Sequence, residues 1–440
     1  NMEFKQYSSY KNSGVEWLGD VPEHWEVIPS KFYFTERKEK AESSDKQLTA
    51  SQKHGIIFQE DFMAENGRVM VVMKNPEILK KVRPNDFVIS MRSFQGGLEL
   101  SYLEGSISSA YVMLKPNLNV VDIEYFKYLF KTPRYIQSLQ STSNLIRDGQ
   151  ALRFNNFSQV KLVLPPKADQ QKIVAFLDTE TTRIDNLISK QEKLIELLEE
   201  QRKSIISHAV TKGLNPNAPM KDSGVEWLGD VPEHWMTPSS KHLLEIPITD
   251  GPHETPNFVD DGVPFISAEA ISKGKIDFDK KRGYITPELN AIYSKKYSPK
   301  IEDIYMVKSG ATTGKVAMVE TTEEFNIWSP LAVFRCNKNK VLPKFLLAVF
   351  NSSHFYDALV LNWSYGTQQN IGMGVLSNIE IPCPPLKEQA EIIQHLDAQN
   401  TKFDKLISTQ SQLIEKLKEY RSSIISHAVT GKIDVREFGA

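Results

Sequence analysis

The sequence repeats itself at a fixed interval. Pro165-Pro166 returns as Pro384-Pro385, and Ser204-Ile-Ile-Ser-His208-Ala-Val-Thr211 returns as Ser423-Ile-Ile-Ser-His427-Ala-Val-Thr430, each 219 residues later (384 minus 165, 423 minus 204). Between these anchors apolar residues recur every three and four positions, at Ile184, Leu187, Leu194, Leu198 and Ile205, with Gln191 and Gln201 in the same stripe. The second copy keeps the register with Phe403, Leu406, Gln410, Leu413, Leu417, Tyr420 and Ile424. This is the heptad seam of a long helix that packs lengthwise on another helix. A helix of residues 168–211 is roughly 65 Å long at 1.5 Å per residue, too long for a small core, so the other copy is its expected partner. The prolines suit a helix start, and Gly213 and Gly431 suit a left-handed stop.

A second repeat has a different offset. Ser-Gly-Val-Glu-Trp-Leu-Gly-Asp-Val-Pro-Glu-His-Trp occupies residues 13–25 and recurs letter for letter at 223–235, an offset of 210 (223 minus 13). Its Gly, Pro, Asp and Trp content predicts a turn-rich segment docked through aromatics, with His24 and His234 in structural niches. The unit of duplication is this tryptophan segment, then a variable block, then a seam helix. Both blocks read as short strands followed by a helix. The first has strands at 69–73, 87–90 and 108–114 and a helix over 122–140; the second has strands at 303–307, 316–319 and 331–334 and a helix through Phe345 to Phe355. A closing strand, 160–164 or 379–381, runs into each proline pair. The expected fold class is α+β: two mixed globules separated by a long antiparallel coiled coil, with an internal pseudo-two-fold. The boundaries that follow are an N-terminal segment 1–25, a globule 26–165, a helix 166–213, a linker with the repeated segment 214–235, a globule 236–384, a helix 385–432 and a tail 433–440. A coiled coil between two molecules is the competing arrangement.

Composition narrows the function classes. Two cysteines, Cys336 and Cys383, build neither a disulfide framework nor a zinc site and are read as reduced thiols. No apolar run is long enough to span a bilayer and residues 2–6 lack the pattern of a signal peptide, so the cytoplasm is the expected compartment and no membrane is expected as a partner. The formal net charge of −2 argues against a generic basic DNA binder. The charge is uneven, however: residues 26–165 carry 19 Lys and Arg against 15 Asp and Glu, and residues 236–383 carry 15 against 16. No catalytic motif survives inspection. Gly310-Ala-Thr-Thr-Gly314-Lys315 has three residues between its glycines and Val316 after the lysine, where a phosphate-binding loop needs four and then Ser or Thr. No nucleophile elbow, paired Cys-x-x-Cys or His-Glu-x-x-His is present, so no catalytic residue and no metal ligand is assigned.

The same stretch suits contact with a sugar-phosphate backbone. Lys308, Ser309, Thr312, Thr313 and Lys315 supply donors, and the glycines permit close approach. The first block has Arg92 and Gln95 at the matching place. Before each closing strand lies a second polar cluster, Gln150, Arg153, Asn155 and Asn156 in one block and Gln368, Gln369 and Asn370 in the other. Asn and Gln are the side chains that pair with adenine edges, and Arg with guanine.

The order of tryptophan segment, variable globule, Pro-Pro and long helix, twice over, resembles the specificity (S) subunit of type I restriction-modification enzymes. Its markers are the Gly-Val-Glu-Trp-Leu-Gly-Asp-Val-Pro-Glu-His-Trp segments, the helix starts Pro-Pro-Lys-Ala-Asp-Gln-Gln and Pro-Pro-Leu-Lys-Glu-Gln, and the helix ends Ile-Ile-Ser-His-Ala-Val-Thr. The resemblance implies two target recognition domains, each reading half of a bipartite double-stranded DNA sequence, and helices that space them. It implies two adenine methyltransferase (M) subunits and restriction (R) subunits as partners, with S-adenosylmethionine, ATP and magnesium held by those partners and no cofactor in this chain. The chain would then be the non-catalytic reader. A coiled-coil adaptor with peptide- or glycan-binding globules, and an orphan subunit that competes with a complete system, are the other readings.

Overall fold

The computed structural model describes residues 4–51, 53–66, 78–90, 93–142, 152–272, 274–362, 364–365 and 369–438. It forms two compact units, residues 1–191 with 412–440 and residues 192–411. Each unit therefore holds one globule, the first half of one long helix and the second half of the other. The long helices are Lys167–Lys212 and Leu386–Val429. They pair antiparallel within the chain. In the first unit Asp185 meets Arg421 at 2.8 Å, and Phe176, earlier on its helix, stacks edge-on against Phe438, beyond the end of the other. In the second unit Arg202 meets Asp404 at 2.6 Å, and Gly213 lies beside Glu388. These two ion pairs are one pair seen twice, since 421 minus 202 and 404 minus 185 are both 219.

The seam is displaced by one residue at every second position. Ile184, Gln191, Leu198 and Ile205 face inward as expected, as do Phe403, Gln410, Leu417 and Ile424. Leu194, Leu406, Leu413 and Tyr420 do not: they are 39%, 46%, 39% and 38% exposed. Gln201 is exposed too, and Leu187 shares the half-buried boundary with Ile188. Their places are taken by Ile188, Ile195 and Arg202 on the first helix and Ile407, Ile414 and Arg421 on the second. Both leucine and isoleucine rows satisfy a three-four spacing, so periodicity alone does not decide between them. The β-branched row lies inside, and the guanidinium of Arg202 sits 5.7 Å from the Phe403 ring. Gln191 keeps a buried side-chain oxygen without a hydrogen-bond partner among the described residues.

The first globule is built on a four-stranded antiparallel sheet. Its strands are β1 (Phe34–Arg37), β2 (Phe87–Ile89), β3 (Glu99–Leu100) and β4 (Val112–Pro116), in the order β1-β4-β2-β3. The second repeats it with β5 (Thr249–Asp250), β6 (Ile304–Val307), β7 (Val316–Met318) and β8 (Leu331–Phe334), in the order β5-β8-β6-β7. One turn precedes the third-placed strand of each. Asp86 and Asp303, both 1% exposed, accept from the amides of Arg83 and Lys300 at 3.0 and 2.9 Å, behind left-handed Asn85 and Glu302. Each buried carboxylate takes a two-pronged arginine, Arg37 from β1 in the first globule and Arg335 from just past β8 in the second. Beside Arg37, hydrogen bonding to the Arg83 guanidinium holds the Glu39 carboxyl down at about 2.

The strand expected at 108–114 starts at Val112, because residues 108–111 close a turn. The one expected at 379–381 is replaced by isolated bridges from Ser239 to Glu380 and Met236 to Cys383, and the one at 69–73 lies outside the described residues. Each long globular helix is two: Ile123–Leu129 and Pro133–Ser141, then Pro343–Phe350 and Ser353–Leu361. The break is chemical. The hydroxyls of Thr132 and Ser352 donate to the carbonyls of Leu129 and Val349, ending one helix as the next begins. Cys336 and Cys383 are buried apart from any disulfide, and burial pushes the Cys336 thiol up to about 12.

Each proline pair is fastened by one glutamine. Gln389, fully buried, donates to the carbonyls of Lys340 (3.0 Å) and Pro384 (2.8 Å) and accepts from the Leu342 amide (2.8 Å). Gln170 does the same with Val120, Pro165 and Asp122. Replacing Gln389 by Ala should cost about 2–4 kcal/mol in urea unfolding, because backbone groups with no access to water are left unpaired; a loss below about 0.5 kcal/mol would show the loop to be held by other means.

The tryptophan segments close the helix ends. Trp25 and Trp235 are fully buried. His24 bonds Asp169 at 2.9 Å and His234 bonds Glu388 at 2.7 Å, each acid lying in the first turn of a long helix. The segment of each repeat also receives the far end of the other helix: the Lys432 ammonium donates to the Leu18 carbonyl at 2.8 Å, and that of Lys212 to Leu228 at 3.2 Å. Gly431 and Gly213 stop the helices at φ +73° and +75°.

Candidate nucleic-acid interface

In the second globule, residues 308–315 join β6 to β7 as a hairpin loop, not the strand-to-helix turn that cradles nucleotide phosphates. Two left-handed glycines, Gly310 and Gly314, allow its tight course. Thr313 is buried and its hydroxyl donates to the Gly310 carbonyl at 2.6 Å, so it builds the loop. One side of the loop is zipped to the second polar cluster. Ser309 and Asn370 form an antiparallel bridge, and the Ile371 amide donates to the Lys308 carbonyl at 2.8 Å. Two clusters sixty residues apart in sequence thus share one surface. Asn370 and Lys315 are exposed there, while Ser309 and Thr312 are half-buried.

Lys308 is less available than its sequence position suggests. Its ammonium lies 3.3 Å from Asp250 on β5, and Lys296 meets the same carboxylate at 2.6 Å. Burial pushes the Asp250 carboxyl up, but the hydrogen bond from Lys296 and the two ammonium charges outweigh it and leave the group below the usual carboxylate range. Lys315 has no ion-pair partner among the described residues and remains the free cation of the loop. Gln368 lies outside the described residues, and Gln369 is described in its backbone alone, as half of a short hairpin.

In the first globule, Arg92 and Gln150 lie outside the described residues. Gln95 is exposed on a short helix, Ser93–Gly96, whose sharp exit at Gly97 (φ +76°) leaves no room for a Cβ against the Phe130 carbonyl. Asn156 is consumed locally, accepting from the Arg153 amide at 3.0 Å and donating to the Thr142 carbonyl at 2.9 Å. Arg153 and Asn155 are exposed and open onto a groove of about 520 Å³ with Glu36, Lys80 and Ser109. The last three come from segments that no sequence pattern connects.

The fold and these loops define a class: a tandem-repeat protein in which each repeat has a globule on a four-stranded sheet of one strand order, a glycine-containing polar loop and a long helix that follows it. Residues 232–419 match the family described as type I restriction modification DNA specificity domain. The MjaVIII specificity subunit of Methanocaldococcus jannaschii is 25% identical, over 94% of both chains, and the EcoBI specificity subunit of Escherichia coli is 22% identical over 72% of this chain and 68% of its own. Among solved structures, a chain from a study of assembly and conformational transition of the type I system superposes with a TM-score of 0.65 at 16% identity, covering 93% of this chain and 98% of that one. The specificity subunit from Thermoanaerobacter tengcongensis gives 0.53 at 17%, covering 94% and 98%. The family's model thus falls on the second repeat, and the similarity to specificity subunits of type I restriction enzymes extends along most of the chain.

Proposed function

We propose that this chain reads a bipartite double-stranded DNA target, one half with each globule, and carries the reading to catalytic partners. The observation that carries the proposal is the recurrence, in two globules whose four-stranded sheets share one strand order, of exposed polar residues from the second cluster: Asn370, beside Lys315, in one globule and Arg153 with Asn155 on one groove in the other. Lys315 and Arg153 suit phosphates, which fix register, and Asn370 and Asn155 suit base edges.

The partners are two methyltransferase subunits and restriction subunits, which bring S-adenosylmethionine, ATP and magnesium. The leucine row outside the seam supports a helical partner: Leu194 and Leu197 on the first helix and Leu406 and Leu413 on the second stand 39–49% exposed at helix-face spacing. Target adenines then leave the stack for the partners' sites, since the amino group is out of reach inside the duplex. Among the described residues no helix is long and apolar enough to cross a membrane, which accords with a cytoplasmic complex.

The test is modular exchange. Residues 236–383 replaced by the corresponding block of a relative should change one half of the methylated sequence in cells and leave the other half intact. If both halves change together, or if methylation is the same with and without the gene, the proposal is wrong.

A further inference from the structure

We propose that Glu36 is a specificity-determining residue, a carboxylate that accepts a hydrogen bond from the exocyclic amino group of a target base. This rests on the DNA-reading role proposed above and assigns one base contact within it. Glu36 lies on β1, the edge strand of its sheet, opposite Leu114. It is half-buried and lines the 520 Å³ groove, whose lip carries Arg153 and Asn155. Among the described residues it has no hydrogen-bond or ion-pair partner, although Lys80 lines the same groove; that ammonium donates instead to the Tyr111 carbonyl at 2.6 Å.

The other globule makes the contrast. On its corresponding edge strand the acid is Asp250, which Lys296, Lys308 and His253 surround at 2.6, 3.3 and 3.1 Å. Lys80 and Arg153 draw a polyanion toward the groove of the first globule, while an unoccupied carboxylate in the same lining repels phosphate and every base edge that offers only acceptors. Guanine and thymine present O6, N7 and O4 in the major groove and would be rejected; cytosine N4 and adenine N6 present donors and would be admitted. A lone acid in such a place lowers affinity for DNA in general and raises it for one base over another. It has the properties of a discriminator.

The experiment uses the full chain with its methyltransferase, comparing wild type, Glu36→Gln and Glu36→Ala by genome-wide mapping of methylated adenine and by thermal unfolding of the purified complex. Glu36→Ala should relax one position of one half-site, with discrimination there falling on the order of tenfold, while the other half-site and the melting temperature stay unchanged. Glu36→Gln, which offers a donor beside its acceptor, should move that position toward adenine. An unchanged motif in both variants overturns the proposal. So does uniform weakening of all sites, which marks a residue acting on phosphates, and so does failure of both variants to fold, which marks a structural carboxylate. Methylation that never depended on the chain would instead sink the DNA-reading role itself.

Discussion

Seven residues inserted into each long helix, between Leu194 and Ile195 and between Leu413 and Ile414, should lengthen the unread gap in the methylated sequence by about three base pairs. A heptad keeps the seam in phase and adds about 10 Å at 1.5 Å per residue, and duplex DNA rises 3.4 Å per pair along a strand. The insertion points lie three and two residues past the boundaries of the compact units, in mid-helix and away from both helix ends. Four residues per helix is the informative contrast. It adds roughly 6 Å but turns the following half-helix by about 40°, carrying Ile195 and Arg202 out of line with the seam. That variant should assemble poorly or shift the gap by nearly two pairs with loss of activity. The readout is the spacing between methylated adenines in cells carrying each variant. Active heptad variants that keep the original gap would show that the helices are not the ruler.

The second large effect is at Gly431. A Cβ there would lie 2.6 Å from Pro22 Cγ and 2.9 Å from the Trp25 ring, on a residue held at φ +73°. An L side chain in that region costs about 1–2 kcal/mol, and the overlap with a fully buried tryptophan adds about as much again. Gly431→Ala should therefore destabilise the first unit by about 3 kcal/mol, read as faster hydrogen exchange over residues 7–25. Gly213→Ala is the internal control. It shares the backbone cost at φ +75°, but its nearest neighbours are Glu388 Oε1 and the Trp235 ring, both 3.2 Å away, and a carboxylate can swing aside. Its effect should be about half as large, and confined to residues 220–235. Equal effects would mean that the two helix ends are not closed by the contacts described.

What the sequence disclosed followed from the kind of signal each feature leaves. Helix ends are marked by residues whose chemistry is local, so Pro-Pro and the glycines could be read directly. The seam was half legible. Ile184, Gln191 and Leu198 are fixed by either row, but the choice of Ile188 and Ile195 over Leu187 and Leu194 depends on which surface another helix covers, and a leucine meant for a different protein looks the same as one meant for the core. The candidate surface was legible as two polar clusters, at residues 308–315 and at Asn370, and the structure brings these two together. It was not legible at Lys308, whose partner Asp250 lies 58 residues away (308 minus 250), nor at Glu36, which is an unremarkable acid until β1 is set beside β4.

The exchange of closures between repeats has a genetic consequence. Tyr125, buried in the first globule, donates its hydroxyl to the carbonyl of Val429 at 2.6 Å, and Ile424, Ala428, Val429 and Ile433 belong to that globule's core. A premature stop codon just after position 411 would leave every strand of the second globule's sheet in place and would injure the first, whose own codons were all read long before. In this gene the damage from a late nonsense mutation lands at the beginning.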